Sequence, residues 1–261
     1  MRHLRWGSLL AAFWLAVVPA WAADLPPCAG AGEPQASKVS RVGNDDGLLI
    51  LGDGRVAVLE GIRLPKGRED HAPQDAARQA LSALAAAVTG KQVTMAVTAP
   101  KQDRHGRLRA QISVGGEWLQ EALLREGMAR VALLPTHPQC AKEMYAAESA
   151  ARLARRGLWA MPAYAIRSPE DLAQDRGTFQ IVQGKVVSAA VKGGRAYINF
   201  SADWERDFTV TIAHDDMKTF RARHVNPRDY AGKMVRVRGI IDWYHGPEIE
   251  LMGPQSVEVL N

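Results

Sequence analysis

The sequence predicts a β-rich α+β protein: two small β-barrels in tandem, the first with three helices packed on it. Three observations predict this. Apolar runs of strand length recur with Gly, Asn and Asp between them. Helical apolar spacing occurs only between residues 75 and 156. A stretch at 161–176 rich in Pro, Ser and acids separates this half from one made of strand patterns alone.

Taken in order, residues 38–42, 48–51 and 55–59 form a strand meander with Asp53-Gly54 as a hairpin turn. Over 75–88, the positions Ala77, Ala80, Leu81, Leu84 and Val88 recur at helical spacing and Gly90 closes the element. Strands at 92–98 and 108–114 follow, then a short helix over 118–126 ending at Gly127. After a strand-like stretch at 129–134, a last helix runs from about 138 to 156, with Pro138 in its first turn and Gly157 past its end. A meander flanked by helices suits a small barrel of the oligonucleotide/oligosaccharide-binding (OB) type. The second half offers strands at 179–188, 195–200, 207–212, 234–241, 249–252 and 256–260, with turns at Gly193-Gly194 and His245-Gly246-Pro247. This again suits an OB-like barrel. The domains predicted are 1–22 (signal), 23–35 (tether), 36–160, 161–176 (linker) and 177–261.

The first residues have the three parts of a secretory signal: basic Arg2, His3 and Arg5, an apolar run from 9 to 18, and Ala20-Trp21-Ala22 before a cleavage point at Ala23. That run is short of the ~20 residues a membrane span needs, and no later stretch is apolar enough to cross a bilayer. The expectation is an exported protein, periplasmic or secreted. The formal charge of +5 falls to +3 when Arg2 and Arg5 leave, too little for a dedicated DNA-packaging protein. Two cysteines, Cys28 and Cys140, are an even count suited to an oxidising compartment, and a Cys28–Cys140 bridge would pin the tether to the first domain. The histidines and cysteines show no zinc spacing, and no nucleotide-binding glycine loop or serine elbow is present.

Four stretches then point to a family. Asp53-Gly54 precedes Val56-Ala57-Val58-Leu59-Glu60-Gly61-Ile62-Arg63-Leu64-Pro65. Asp103-Arg104-His105-Gly106-Arg107 stands between two strands. Leu124-Arg125-Glu126-Gly127-Met128-Ala129-Arg130-Val131 closes the short helix, and Ala147-Glu148, Ala151-Arg152 and Gly157-Leu158-Trp159 lie along the last one. In these stretches, residues 36–160 resemble the thermonuclease (staphylococcal nuclease-like) family. The resemblance implies an OB barrel and a calcium-dependent phosphodiesterase. Such an enzyme needs carboxylates for a hard cation, a carboxylate acting on the attacking water, and arginines facing the phosphate.

Set on this sequence, the family's two calcium aspartates fall at Gly47 and Arg63, its general base at Lys66 and one arginine at Val58. Arg107 alone stands where the family needs an arginine, and such an arginine can also serve the barrel mouth structurally. The changes at Arg63 and Lys66 are charge reversals, so the pocket is expected to repel a metal. No cofactor is expected, with calcium entering only if a divergent nuclease site exists. Asp45, Asp46 and Glu60 are the candidates for that alternative, and Asn44-Asp45-Asp46-Gly47 also reads simply as a turn.

The resemblance implies that Arg63, Lys66, Arg68, Lys101, Arg104, Arg107 and Arg109 gather near one barrel mouth. Such a cluster suits single-stranded nucleic acid or another polyanion, and a solvated basic rim is the plainer reading. In the second half Tyr197, Phe200, Trp243 and Tyr244 are candidates for base stacking, two or three of its aromatics being expected to be exposed. Three functions stay open: a non-catalytic nucleic-acid or polyanion binder, a divergent metal-dependent nuclease, and an envelope adaptor that binds protein or glycan.

Overall fold

A computed structural model describes residues 25–30, 34–44, 47–203 and 207–260. The signal region, Asp45, Asp46 and Trp204 lie outside them.

The first unit runs β1 (Pro34–Val42), β2 (Leu49–Leu51), β3 (Val56–Leu59), β4 (Ile62–Arg63), α1 (Gln74–Val88), β5 (Gln92–Gln102), β6 (Leu108–Val114), β7 (Glu117–Trp118), α2 (Leu119–Arg125), β8 (Arg130–Val131) and α3 (Ala141–Leu153). Its sheet has the order β3-β2-β1-β5-β6-β7, and a parallel β3–β6 pairing closes five of these strands into a barrel. Alternation fills the barrel: Leu49 and Leu51, Ala57 and Leu59, and Leu108, Ala110 and Ile112 are buried at every second position. Helix α1 buries Ala77, Ala80, Leu84 and Val88 as its spacing predicts, with Leu84 and Val88 on this core, whereas Leu81 is half-buried and lines a cavity. Full burial of a Leu or Val stabilises by about 1.5–3 kcal/mol, so Leu84→Ala is the single change most damaging to this helix contact.

The last helix is shorter than its pattern predicts. Cys140 takes a left-handed backbone (φ 62°) and caps α3, so Pro138 stays outside the helix. The Cys28–Cys140 disulfide holds that cap and seats Ala29 in the core. Bridging residues 112 apart removes several kcal/mol of unfolded-chain entropy in the loop-closure view.

The second unit contains β9 (Phe179–Lys185), β10 (Ser188–Lys192), β11 (Arg195–Asn199), β12 (Thr209–Ile212), α4 (Met217–Ala222), β13 (Met234–Ile240), β14 (Asp242–Tyr244), β15 (Gly246–Glu250) and β16 (Val257–Leu260). Two sheets, β10-β11-β12-β15-β14 and β16-β13-β9, pack over one core that includes Phe208, Phe220, Ile198 and Val237. β9 and β10 are arms of one bent strand: the Val186 N–H bonds Lys233 beside β13, and the Val187 N–H bonds Asn199 in β11. With β12 and β15 parallel, this gives OB-type connectivity. Between β13 and β15 there is no ladder among the described residues; Gly239 packs there instead, where an added Cβ would lie 2.5 Å from Ile249.

The stretch predicted as a linker is packed. Tyr164 and Leu172 are buried, and Arg167 binds Asp175 at 2.9 Å and pairs its backbone with β9. A third apolar cluster, with Ala76, Ala151, Trp159, Tyr164 and Ile181, joins the two units.

Candidate functional site

All five positions implied by the resemblance converge. Gly47, Val58, Arg63, Lys66 and Arg107 line one cavity of about 780 Å³. The first unit supplies its floor from β3, β4 and the segments before β2 and β6. The opposite wall comes from the second unit, through Arg176, Phe179, Arg238, Ile240, Asp242 and Met252.

Each first-unit position has a local cause. Gly47 has φ +67°, and a Cβ there would lie 2.4 Å from Leu64 Cδ1 and 3.3 Å from Leu84 Cδ2. Leu64 therefore fills the place where a first carboxylate would project. Arg63 ends β4 and reaches the buried Asp70 carboxylate at 3.6 Å, with its guanidinium 5.6 Å from the Phe179 ring centre. Lys66 Nζ lies 3.2 Å from Glu69, and the Lys66 N–H donates to Asp70 at 2.7 Å. Arg107 is held by Asp103 at 2.6 Å. Burial alone would raise the Asp103 carboxyl, but hydrogen bonds from the Arg107 backbone and side chain and from the His105 N–H outweigh it and bring it down to about 2.

Calcium does not fit this set of donors. Where hard oxygen ligands are needed, the chain presents a guanidinium, an ammonium and a leucine methyl. Among the described residues, no three His, Cys, Asp or Glu side chains come together in a metal-holding group. Glu60 is buried and turned to Arg109 at 3.1 Å, away from the cavity lining. Asp45 and Asp46 lie outside the described residues.

Behind the cavity wall sits a buried charge cluster that the sequence does not announce. Asp70 receives Arg130 at 3.1 Å, the Tyr164 hydroxyl at 3.2 Å and Arg63. Arg130 is 1% exposed, donates to the Phe179 carbonyl at 2.7 Å and stacks over Tyr164 and Phe179. Burial pulls the Arg130 guanidinium below its ordinary value against the opposing pull of Asp70. Burial, reinforced by Asp70, pushes the Tyr164 hydroxyl up. Two guanidinium groups thus share one carboxylate. A second cluster is differently composed: Arg238 meets Glu148 at 2.9 Å and also binds Glu258, and it covers the Tyr145 ring at 4.5 Å.

The remaining candidates disperse. Arg68, Lys101 and Arg104 are exposed outside the cavity lining, and Arg109 is spent on Glu60, so the seven cations do not form one rim. Phe200 is buried against Phe208, with ring centres 5.0 Å apart, and has no free face for a base. Trp243 and Tyr244 belong to the edge strand β14 rather than a loop, and with Tyr197 they are the exposed aromatics of this unit among the described residues. On the outer sheet face Arg195 is neutralised by Glu248 and Glu250, at 3.1 and 2.7 Å. The pairing of Asp70 with Arg130 and the places of Arg176 and Arg238 in the cavity wall escape sequence reading. Arg236 and Arg238 alternate with Val235 and Val237, which marks a solvent-facing stripe until another unit covers it.

Fold and site together define a nuclease-type OB barrel with a cavity lined by cationic and apolar residues. Residues 57–161 match the family described as staphylococcal nuclease homologue, and this stretch is an SNase domain. The match begins after Gly47, whose place in the site comes from the shared cavity. No curated protein matches the chain.

Proposed function

We propose that this protein is a non-hydrolytic binder of anionic ligands that uses the rebuilt seat of a nuclease fold. One observation carries the reading: the family's catalytic positions still meet in one cavity, with Arg63, Lys66 and Arg107 around a seat that Leu64 closes to a carboxylate at Gly47. Cations placed this way attract phosphate or carboxylate oxygens and repel a divalent metal. Polyanions, including single-stranded nucleic acid, are the broad ligand class. The formed disulfide supports work in an oxidising compartment, in line with a secretory signal.

The test is an assay on DNA and RNA with calcium, magnesium and manganese in turn, each against a chelator control. No cleavage is expected with any metal, and binding of anions is expected to weaken with salt. Metal-dependent cleavage abolished by alanine at Asp45, Asp46 and Glu60 would overturn the reading in favour of a divergent nuclease. Export is checked by fusing residues 1–22 to a reporter active only outside the cytoplasm.

A further inference from the structure

The cavity's own chemistry narrows the ligand class. Resting on the anion-seat reading, we infer that the cavity takes a small amphiphilic anion, one phosphate or carboxylate head on an apolar chain, rather than a stretch of polynucleotide.

The head has a defined place. Arg63 and Arg130 have the single carboxylate of Asp70 as their one ion-pair partner among the described residues, so two guanidinium groups stand against one directly paired carboxylate beside the cavity. Arg63 Nε is buried without a hydrogen-bond partner. Across the cavity, Arg176 is exposed and makes no ion pair among the described residues. An oxyanion between Arg63 and Arg176 would balance the cluster.

The tail has one too. Leu48 and Leu134 from the first unit line the same cavity as Ile240 and Met252 from the second. Ile240 and Met252 are 47% and 52% exposed, a pair of large apolar side chains left open at the rim of a concave site. The volume of about 780 Å³ falls within the ~300–1,000 Å³ of small-molecule sites.

A polynucleotide matches poorly. Binding single strands relies on aromatic platforms for successive bases and a cationic track for the backbone. Phe179 is the one aromatic among the described lining residues, and Arg63 and Arg130 already stack on its ring. The second unit also brings Asp242 and Glu250 to the cavity lining, and on the same sheet Glu248 and Glu250 pair with Arg195, so no cationic track leads away from it.

The test titrates the full, disulfide-intact protein with hexyl, octyl and decyl phosphate below their micelle concentrations. Inorganic phosphate, a length series of oligothymidylates and anionic phospholipid vesicles serve as further arms. Affinity for the alkyl phosphates is expected to rise by up to about fourfold per methylene until the cavity is filled, from ~0.8 kcal/mol per buried CH₂. Met252→Asp and Ile240→Asp, at half-exposed positions, are expected to remove this chain-length dependence while leaving inorganic phosphate binding in place. Arg176→Ala is expected to weaken every anion. Affinity that ignores chain length but grows with oligonucleotide length overturns the inference and leaves the anion seat standing. Binding to vesicles without binding to monomers overturns it in favour of a membrane surface. Failure to bind any of these anions removes the anion-seat reading with it.

Discussion

Two buried arginines hold the two halves of this molecule together, and they are balanced in opposite ways. Arg238, from β13, meets two carboxylates, Glu148 and Glu258. Arg130, from β8, shares the lone carboxylate of Asp70 with Arg63. Both side chains are almost fully enclosed. Burial works against each charge, but Glu148 and the groups around it raise the Arg238 pKa above its ordinary value, whereas Arg130 ends below it. Glu258 is shared with Arg236, but Glu148 is paired with Arg238 alone, and a guanidinium with a carboxylate of its own is a weld. Arg130 has only a shared one, and both clusters reach the cavity, one through Arg63 and the other through Arg238.

The contrast between the clusters breaks most sharply at the weld. Arg238→Ala is expected to cost about 3–5 kcal/mol, because Glu148 would keep its charge in the interface without its partner. Urea unfolding of the full chain measures this, and a loss within about 1 kcal/mol, the worth of a surface pair, would contradict the balanced description. Asp70→Asn strips the only anion from the other cluster and is expected to destabilise by about 3 kcal/mol. Unlike the weld variant, it should regain stability as inorganic phosphate is added, since a ligand of the folded state stabilises by mass action. A melting temperature for the Asp70 variant that ignores phosphate would sever the link between charge imbalance and anion binding.

The smallest effect concerns pH and the Asp103–Arg107 pair. Asp103 titrates near 2 in the folded protein, below its ordinary 3.8. A depressed carboxyl contributes stability that is complete above the unfolded value and lost as pH falls through the folded one. The turn holding Arg107 should therefore loosen between about pH 4 and pH 2. In Asp103→Asn, which also loses the ion pair, this acid-dependent part of the melting curve should disappear. An unchanged acid limb would place the protection elsewhere.

Fold and site differ in how much of each is legible in the sequence. The barrel strands and α1 follow from apolar period and turn residues, because each side-chain pattern matches a single local geometry. Gly47, Val58, Arg63, Lys66 and Arg107 can be named because the resemblance assigns each a place in the chain, and all five line the cavity. The start of α3 departs from its pattern because a left-handed Cys140, held by its disulfide, outranks the preference of Pro138 for a first helical turn. Phe200 falls in phase with the apolar Ala196 and Ile198 and Tyr197 out of phase, so strand alternation separates the two, and packing against Phe208 completes the burial of Phe200.

By itself, the sequence determined the β-rich pattern of both units, the SNase-like stretch and the two cations, Arg63 and Lys66, that flank Leu64-Pro65. These are properties of local pattern and residue chemistry. Only the tertiary structure decided what those cations face. Leu64 fills the space above Gly47, Phe179 and Ile240 come from a chain segment more than a hundred residues away, and Asp70 is divided between two arginines. Charge balance and cavity shape depend on distances between distant segments, and those distances exist only after the second unit has closed over the first.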